Sequence, residues 1–249
     1  MLKKIIIVVM FILLAVTVYL LYERYQEAGE LDEQPEEAMK PYSSDLASIF
    51  PSEKEQEFVF EGLAEYAHSE TIKEIEEEEE MLTLYIEGRF FDARGPEYEE
   101  GRVFNKKYFI DNDSVTEVID NKDPLREDGF DNSLHSIVPN QVVLKLPLEV
   151  NNSWEQEFEY NGEAYTAITT IVGISTINSA IQYETKLVVE GIADYIDNIY
   201  VEERVYQEGK GLVSFANVFN RKFFEQEDDP DPRTFMFNYH LTIIDDELI

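Results

Sequence analysis

The chain contains no cysteine. That absence removes disulfides, thiol nucleophiles, zinc–thiolate sites and iron–sulfur clusters together. It also removes the lipid-modified cysteine that anchors a bacterial lipoprotein. Basic residues are scarce: 20 Lys and Arg stand against 53 Asp and Glu, a formal net charge of −33 over 249 residues. Affinity for phosphate backbones comes largely from Lys and Arg displacing counterions, so nucleic acid is excluded as a partner. Attachment to anionic headgroups through a basic patch falls with it. Three readings of the acidity stay open: a solvated surface suited to a salty habitat, attraction of cations such as calcium, or engagement of a basic partner.

Histidine is nearly absent. His68, His135 and His240 lie far apart, and none has a metal-ligand spacing such as H-x-x-x-H. No G-x-S-x-G occurs, and Ser175, Ser179 and Ser214 fall in strand-like or turn sequence rather than beside a base in a constrained turn. With 53 acids, carboxylate pairs arise by number alone, so they carry no glycosidase signal. "YQEGKGLVSF" (residues 206–215) has two closely spaced glycines, but no helix pattern follows to cradle a phosphate. Those glycines suit a bulge or a tight turn between strands. "DNDSVTEV" (111–118) begins Asp-x-Asp but lacks the glycine and closing Glu of a calcium loop. It joins "DGFDNS" (128–133) and "EQEDDPDPR" (225–233) as acidic turns that at most hold calcium weakly. The expectation is a non-enzyme with no catalytic, cofactor-binding or metal-ligating residue and no cofactor.

Aromatic and aliphatic residues, by contrast, abound. Hydrophobic residues make up 44% and aromatics 13% of the chain, a content that disordered segments lack. An unbroken apolar run of 18 residues, 5–22, follows Lys3 and Lys4. As a helix it would extend about 27 Å, close to a hydrocarbon core of about 30 Å. The positive-inside rule keeps residues 1–4 cytoplasmic and sends the rest outward. Tyr19, Tyr22 and Tyr25 suit the outer interface. No small-x-small cleavage site is convincing, so an uncleaved signal anchor is expected, with a cleaved signal as the alternative. Residues 23–45 are polar and acidic and read as a linker.

From residue 46 onward, short segments rich in Tyr, Phe, Val, Ile and Thr alternate with turn residues, a strand signature. Residues 102–119 read as a hairpin turning at Asp111-Asn112-Asp113. Residues 154–171 read as another, with Asn161-Gly162 supplying the positive φ angles of a two-residue turn. Trp154, Phe158 and Tyr160 share one face there and Glu155, Glu157 and Glu159 the other, as in a half-buried antiparallel strand. The acidic run 72–81 reads as a solvated edge or exposed β turn, because consecutive carboxylates repel and cannot converge on one ion. Two stretches echo each other: Phe50-Pro51 precedes Phe58 as Leu146-Pro147 precedes Trp154. Each continues through a glycine (Gly62, Gly162) to a Glu and a Tyr, Glu65-Tyr66 and Glu163-Ala164-Tyr165. That likeness predicts a β unit used twice, with the second use starting near Lys145.

Pro147, Leu148, Val150 and Trp154 form one motif, and Tyr206, Gly209, Gly211, Leu212 and Val213 another. Together with "FEGLAEYA" (60–67), this order resembles a family of extracytoplasmic proteins of uncertain function from Gram-positive bacteria. Its members carry Pro-Leu-x-Val-Gly-x-x-Trp and Tyr-x-x-Gly-x-Gly-Leu-Val segments; many are lipoproteins, and some are fused to a copper-amine-oxidase-like N-terminal domain. Asn151 stands where that family has glycine, and both the lipid-bearing cysteine and the amine-oxidase-like domain are missing. The resemblance implies an all-β surface module and carries no catalytic residues.

The expected fold is therefore mainly β: antiparallel twisted sheets or an incomplete barrel, in two related consecutive halves (46–145 and 146–249), behind one transmembrane helix. The expected role is a membrane-anchored, non-enzymatic extracytoplasmic module that binds a protein or cell-envelope component. The alternative is a carrier or sensor of an apolar or lipid ligand held between curved sheets.

Overall fold

The computed structural model describes residues 42–62, 67–78, 80–91, 103–120, 135–218 and 236–242. The expected anchor at 5–22, the linker as far as residue 41 and the acidic turns at 128–133 and 225–233 lie outside the described residues. Among the described residues no helix is long and apolar enough to cross a membrane.

The described chain starts at Tyr42, which is buried, and makes one helical turn, α1 (Ser44–Ala47), capped by the Ser43 hydroxyl accepting from the Leu46 N–H. Six strands follow: β1 (Glu57–Gly62), β2 (Ala67–Glu77), β3 (Leu82–Phe91), β4 (Val103–Ile110), β5 (Ser114–Asp120) and β6 (Gln141–Lys145). Six more complete the sheet: β7 (Ser153–Tyr160), β8 (Glu163–Ile177), β9 (Ala180–Glu190), β10 (Ile199–Gln207), β11 (Gly211–Val218) and β12 (Met236–Thr242). The strands form one antiparallel sheet in the order β6-β5-β4-β3-β2-β1-β12-β11-β10-β9-β8-β7. Every strand therefore pairs with its neighbours in sequence except β6 with β7, and the first pairs with the last, Phe60 opposite Leu241. The result is a nearly closed up-and-down barrel. Among the described residues, its one junction without a backbone ladder falls in the middle of the chain, between β6 and β7.

Local chemistry explains the turns. Asn161 (φ 52°) and Gly162 (φ 83°) make the two-residue β7–β8 turn that their types predict, and Asn178 (φ 50°) and Ser179 (φ 71°) do the same between β8 and β9. The Asp111 carboxylate accepts from the Asp113 and Ser114 N–H groups, both at 2.7 Å, and so closes the β4–β5 turn. The acidic run completes β2 and turns back into β3 through a Glu78 N–H to Met81 carbonyl bond of 2.9 Å. Its Glu74, Glu77, Glu78 and Glu80 side chains are exposed. Gly209 and Gly211, both at φ 73°, shape the β10–β11 turn, beside a register shift at Val205/Tyr206.

The two echoing stretches lead into β1 and β7, the opening strands of the two runs of six. Their glycines do different work. Gly162 sits in a turn, whereas Gly62 is the last residue of β1, paired with Tyr239. The strands differ too: β1 is laddered on both sides, to β2 and β12, while β7 borders the seam.

Alternate residues of each strand point inward. One apolar cluster gathers Phe50, Phe60, Leu84, Phe104, Tyr108, Ile110, Tyr206 and Phe215 among others; a second gathers Phe158, Leu187, Val189, Tyr195 and Tyr200. Gly88 is buried beneath Phe104, its partner on β4, and a Cβ there would fall 2.0 Å from that ring. Along β10 the inward residues run Tyr200, Glu202, Arg204, Tyr206, so a polar belt separates the two clusters.

Candidate functional site

The belt brings together groups that are distant in sequence. Arg204 is 3% exposed and lies between two carboxylates. Its Nε donates to Glu202 Oε1 at 2.5 Å, its Nη1 to Glu117 Oε1 at 2.8 Å, and its Nη2 to Gln141 Oε1 at 2.8 Å. Tyr108 donates to Glu117 Oε2 at 2.7 Å and Tyr200 to Glu202 Oε2 at 2.9 Å, so both oxygens of each carboxylate are occupied. Gln141 also donates to Glu202 Oε1 at 3.0 Å. Burial alone would raise the Glu117 carboxyl, but Arg204, with Lys106 behind it, outweighs burial and holds it below its ordinary value. Burial pushes the Tyr108 and Tyr200 hydroxyls well above theirs, with the carboxylates they bond adding to the effect.

A second group adjoins it. Lys106, 2% exposed, donates to Glu70 Oε1, and His68 Nε2 lies 3.2 Å from the same oxygen. Burial again works against the ionised carboxylate, yet Lys106 first and His68 second hold Glu70 down at about 2. Burial lowers the His68 imidazole more than Glu70 raises it, so His68 stays neutral at pH 7. His68 stacks on Phe60 at 4.6 Å and meets Tyr239 edge-on at 4.9 Å. His135, distant in sequence, packs 5.2 Å from Phe104 and 6.2 Å from Phe90, two rings that His68 also approaches. His240 points outward from β12 and is exposed. The three histidines thus do not converge, and no group of three or more metal-ligating residue types assembles among the described residues. Ser175 lies in β8, Ser179 in the β8–β9 turn and Ser214 in β11.

The seam is closed by side chains. Trp154 Nε1 donates to the Val142 carbonyl at 2.9 Å, the Val142 N–H donates to Gln156 Oε1 at 2.9 Å, and Gln156 Nε2 donates to the Asn140 carbonyl at 2.9 Å. Asn152 Nδ2 ties the following loop to the carbonyls of Lys145 and Pro147. Near this seam a surface cleft of ≈ 660 Å³ opens between α1, the 146–149 loop and the β8–β9 hairpin, lined by Asp45, Asp113, Leu148, Glu149, Tyr183 and Glu208. A second outer groove, ≈ 450 Å³, runs over β8 between Glu157 and Glu190.

Sequence reasoning missed the belt. A Glu or Lys flanked by polar neighbours in a strand reads as solvent-facing. The available signal was period two: in "FNKKYFI" Lys106 shares its face with Phe104, Tyr108 and Ile110.

No family model matches the chain, and no curated protein matches it. Among solved structures it is similar to a "putative lipoprotein" from Parabacteroides distasonis ATCC 8503, with 11% identity and a TM-score of 0.42 over 78% of this chain and 98% of that one. It is also similar to a "putative exported protein with YmcC-like fold" from Bacteroides fragilis NCTC 9343, with 9% identity and a TM-score of 0.41 over 77% and 96%.

Proposed function

We propose that the protein is a membrane-tethered, extracytoplasmic, non-enzymatic β-barrel that binds a protein or cell-envelope component through its outer surface. One observation carries the reading. The groups able to do chemistry (Glu70, Lys106, Glu117, Glu202, Arg204 and His68) are buried and bonded to one another, so the free chemistry lies outside. A carrier would need an apolar ligand to occupy the interior, where this chain places paired charges and aromatic rings instead. The tether rests on the apolar run 5–22 behind Lys3 and Lys4.

Kinship with the Gram-positive surface family belongs to the same reading. On it, the shared motifs are structural: Trp154 seals the seam, and Gly209 and Gly211 shape one turn. The test is fractionation of the native host, followed by protease treatment of spheroplasts. The body should sediment with membranes and be cleaved from outside. A soluble, protease-protected protein would overturn the tethered, outward orientation.

A further inference from the structure

β8 is longer than its neighbour at the seam. Its residues 163–170 pair with β7, and Ile171 bonds Asn151 and Asn152, but residues 172–177 bond only to β9 among the described residues. Among the described residues, six residues of one strand, with a register shift at Ile171/Gly173, thus present a backbone edge that no second strand pairs. Proteins usually guard such edges with charged side chains on the strand itself, and these six residues carry none. Residues 164–183 contain no Asp, Glu, Lys or Arg, in a chain that is 29% charged. Val172, Ile174 and Ile177 are 40–48% exposed, and Val150 on the adjoining loop is 46% exposed.

Carboxylates flank both faces of this edge. On one face, Ile174 sits opposite Tyr183, which lines the cleft with Asp45, Asp113, Glu149 and Glu208. On the other, Glu184 pairs with Gly173 and its carboxylate lies across that glycine, 2.9 Å from where a Cβ would stand. Lys145 neutralises Asp113 at 3.2 Å, leaving the acidic excess in place.

We propose that residues 172–177 of β8 are a strand-addition site for an extended, cationic segment of a partner protein, with apolar residues alternating with Lys or Arg. This rests on the reading of the protein as an outer-surface interaction module. Backbone pairing supplies affinity, and the carboxylates on the face that the partner's cations occupy, the cleft side or the Glu184 side, select its charge. A second copy fits poorly. It would bring another −33 of charge, and six edge residues cover only part of the roughly 800 Å² per partner of a stable interface. Residues 23–45, rich in Glu and Asp, lack the net positive charge that the same carboxylates would select.

The test uses the full chain in nanodiscs of zwitterionic lipid and a labelled eight-residue peptide of alternating Val and Lys. Expected are 1:1 binding, slowed amide exchange confined to residues 172–177 and their flanks, and at least tenfold weaker binding to Glu149→Gln/Glu184→Gln. A peptide with alternate amides N-methylated, and a Val/Glu peptide, should each bind at least tenfold more weakly. Equal binding of the N-methylated peptide would overturn the proposal, reducing the contact to diffuse charge attraction. Protection of 172–177 through self-association without peptide would overturn it in favour of a second copy. In cells, photo-crosslinkers at Ile177 and at Asn105, exposed on β4, separate the two readings. Crosslinks from Asn105 alone overturn the β8 site but leave the interaction module standing; none from any outward position overturns both.

Discussion

At the scale of single residues, the chain's most consequential choice is to bury charge. Five ionisable side chains, Glu70, Lys106, Glu117, Glu202 and Arg204, are each at most 6% exposed. Such groups cost several kcal/mol each to desolvate and are tolerated only when fully paired. Arg204→Met should therefore destabilise by about 3–5 kcal/mol in urea unfolding, because it strands Glu117 and Glu202. Neutralising those two as well, in a Glu117→Gln/Glu202→Gln/Arg204→Met variant, should recover part of the loss. Glu70 makes a pH prediction. Its carboxyl is held from 4.5 down to about 2, so its contribution is present above about 4.5 and disappears as pH falls toward 2. That difference corresponds to about 3 kcal/mol. His68 pulls the same way: its lowered value means that the unfolded chain takes up a proton first as pH drops through 6.5. Acid unfolding of Glu70→Gln should show a shallower loss of stability below pH 4.5 than the parent, and equal slopes would contradict the assignment.

At the scale of elements, hairpins were legible and the seam was not. The Asn161-Gly162 turn and the alternation of Trp154 and Phe158 with Glu155, Glu157 and Glu159 follow from backbone preference and period two, both local properties. Which strands would be left unladdered depends on how the sheet closes, and no local pattern reports that. Trp154 could be read as a core residue from its face; its indole N–H reaching the Val142 carbonyl could not. Trp154→Phe keeps the ring but removes the donor. It should cost about 1–3 kcal/mol and speed amide exchange in β6, while exchange in β2 and β3 stays unchanged.

At the scale of the whole molecule, charge dominates. A body within a chain of net charge −33 is compacted against its own repulsion, which salt screens with a Debye length of about 30 Å at 0.01 M and 8 Å at 0.15 M. Thermal stability should rise between those two salt concentrations. A fall would imply that exposed ion pairs such as Lys73–Glu55 and Lys186–Glu203 outweigh the repulsion.

The sequence by itself determined the class of this protein: antiparallel strands from β-branched and aromatic periodicity, turns from Asn, Asp and Gly, and a strongly negative charge from its composition. Each of these depends on residues near one another in the chain, or on composition summed over it. Only the tertiary structure decided that the strands form one ring, that its open junction lies between β6 and β7, and that Glu117, Gln141 and Arg204 meet inside it. Those contacts join residues as many as 87 positions apart, and closing so long a loop is rewarded only when the whole sheet curves to bring both ends into register.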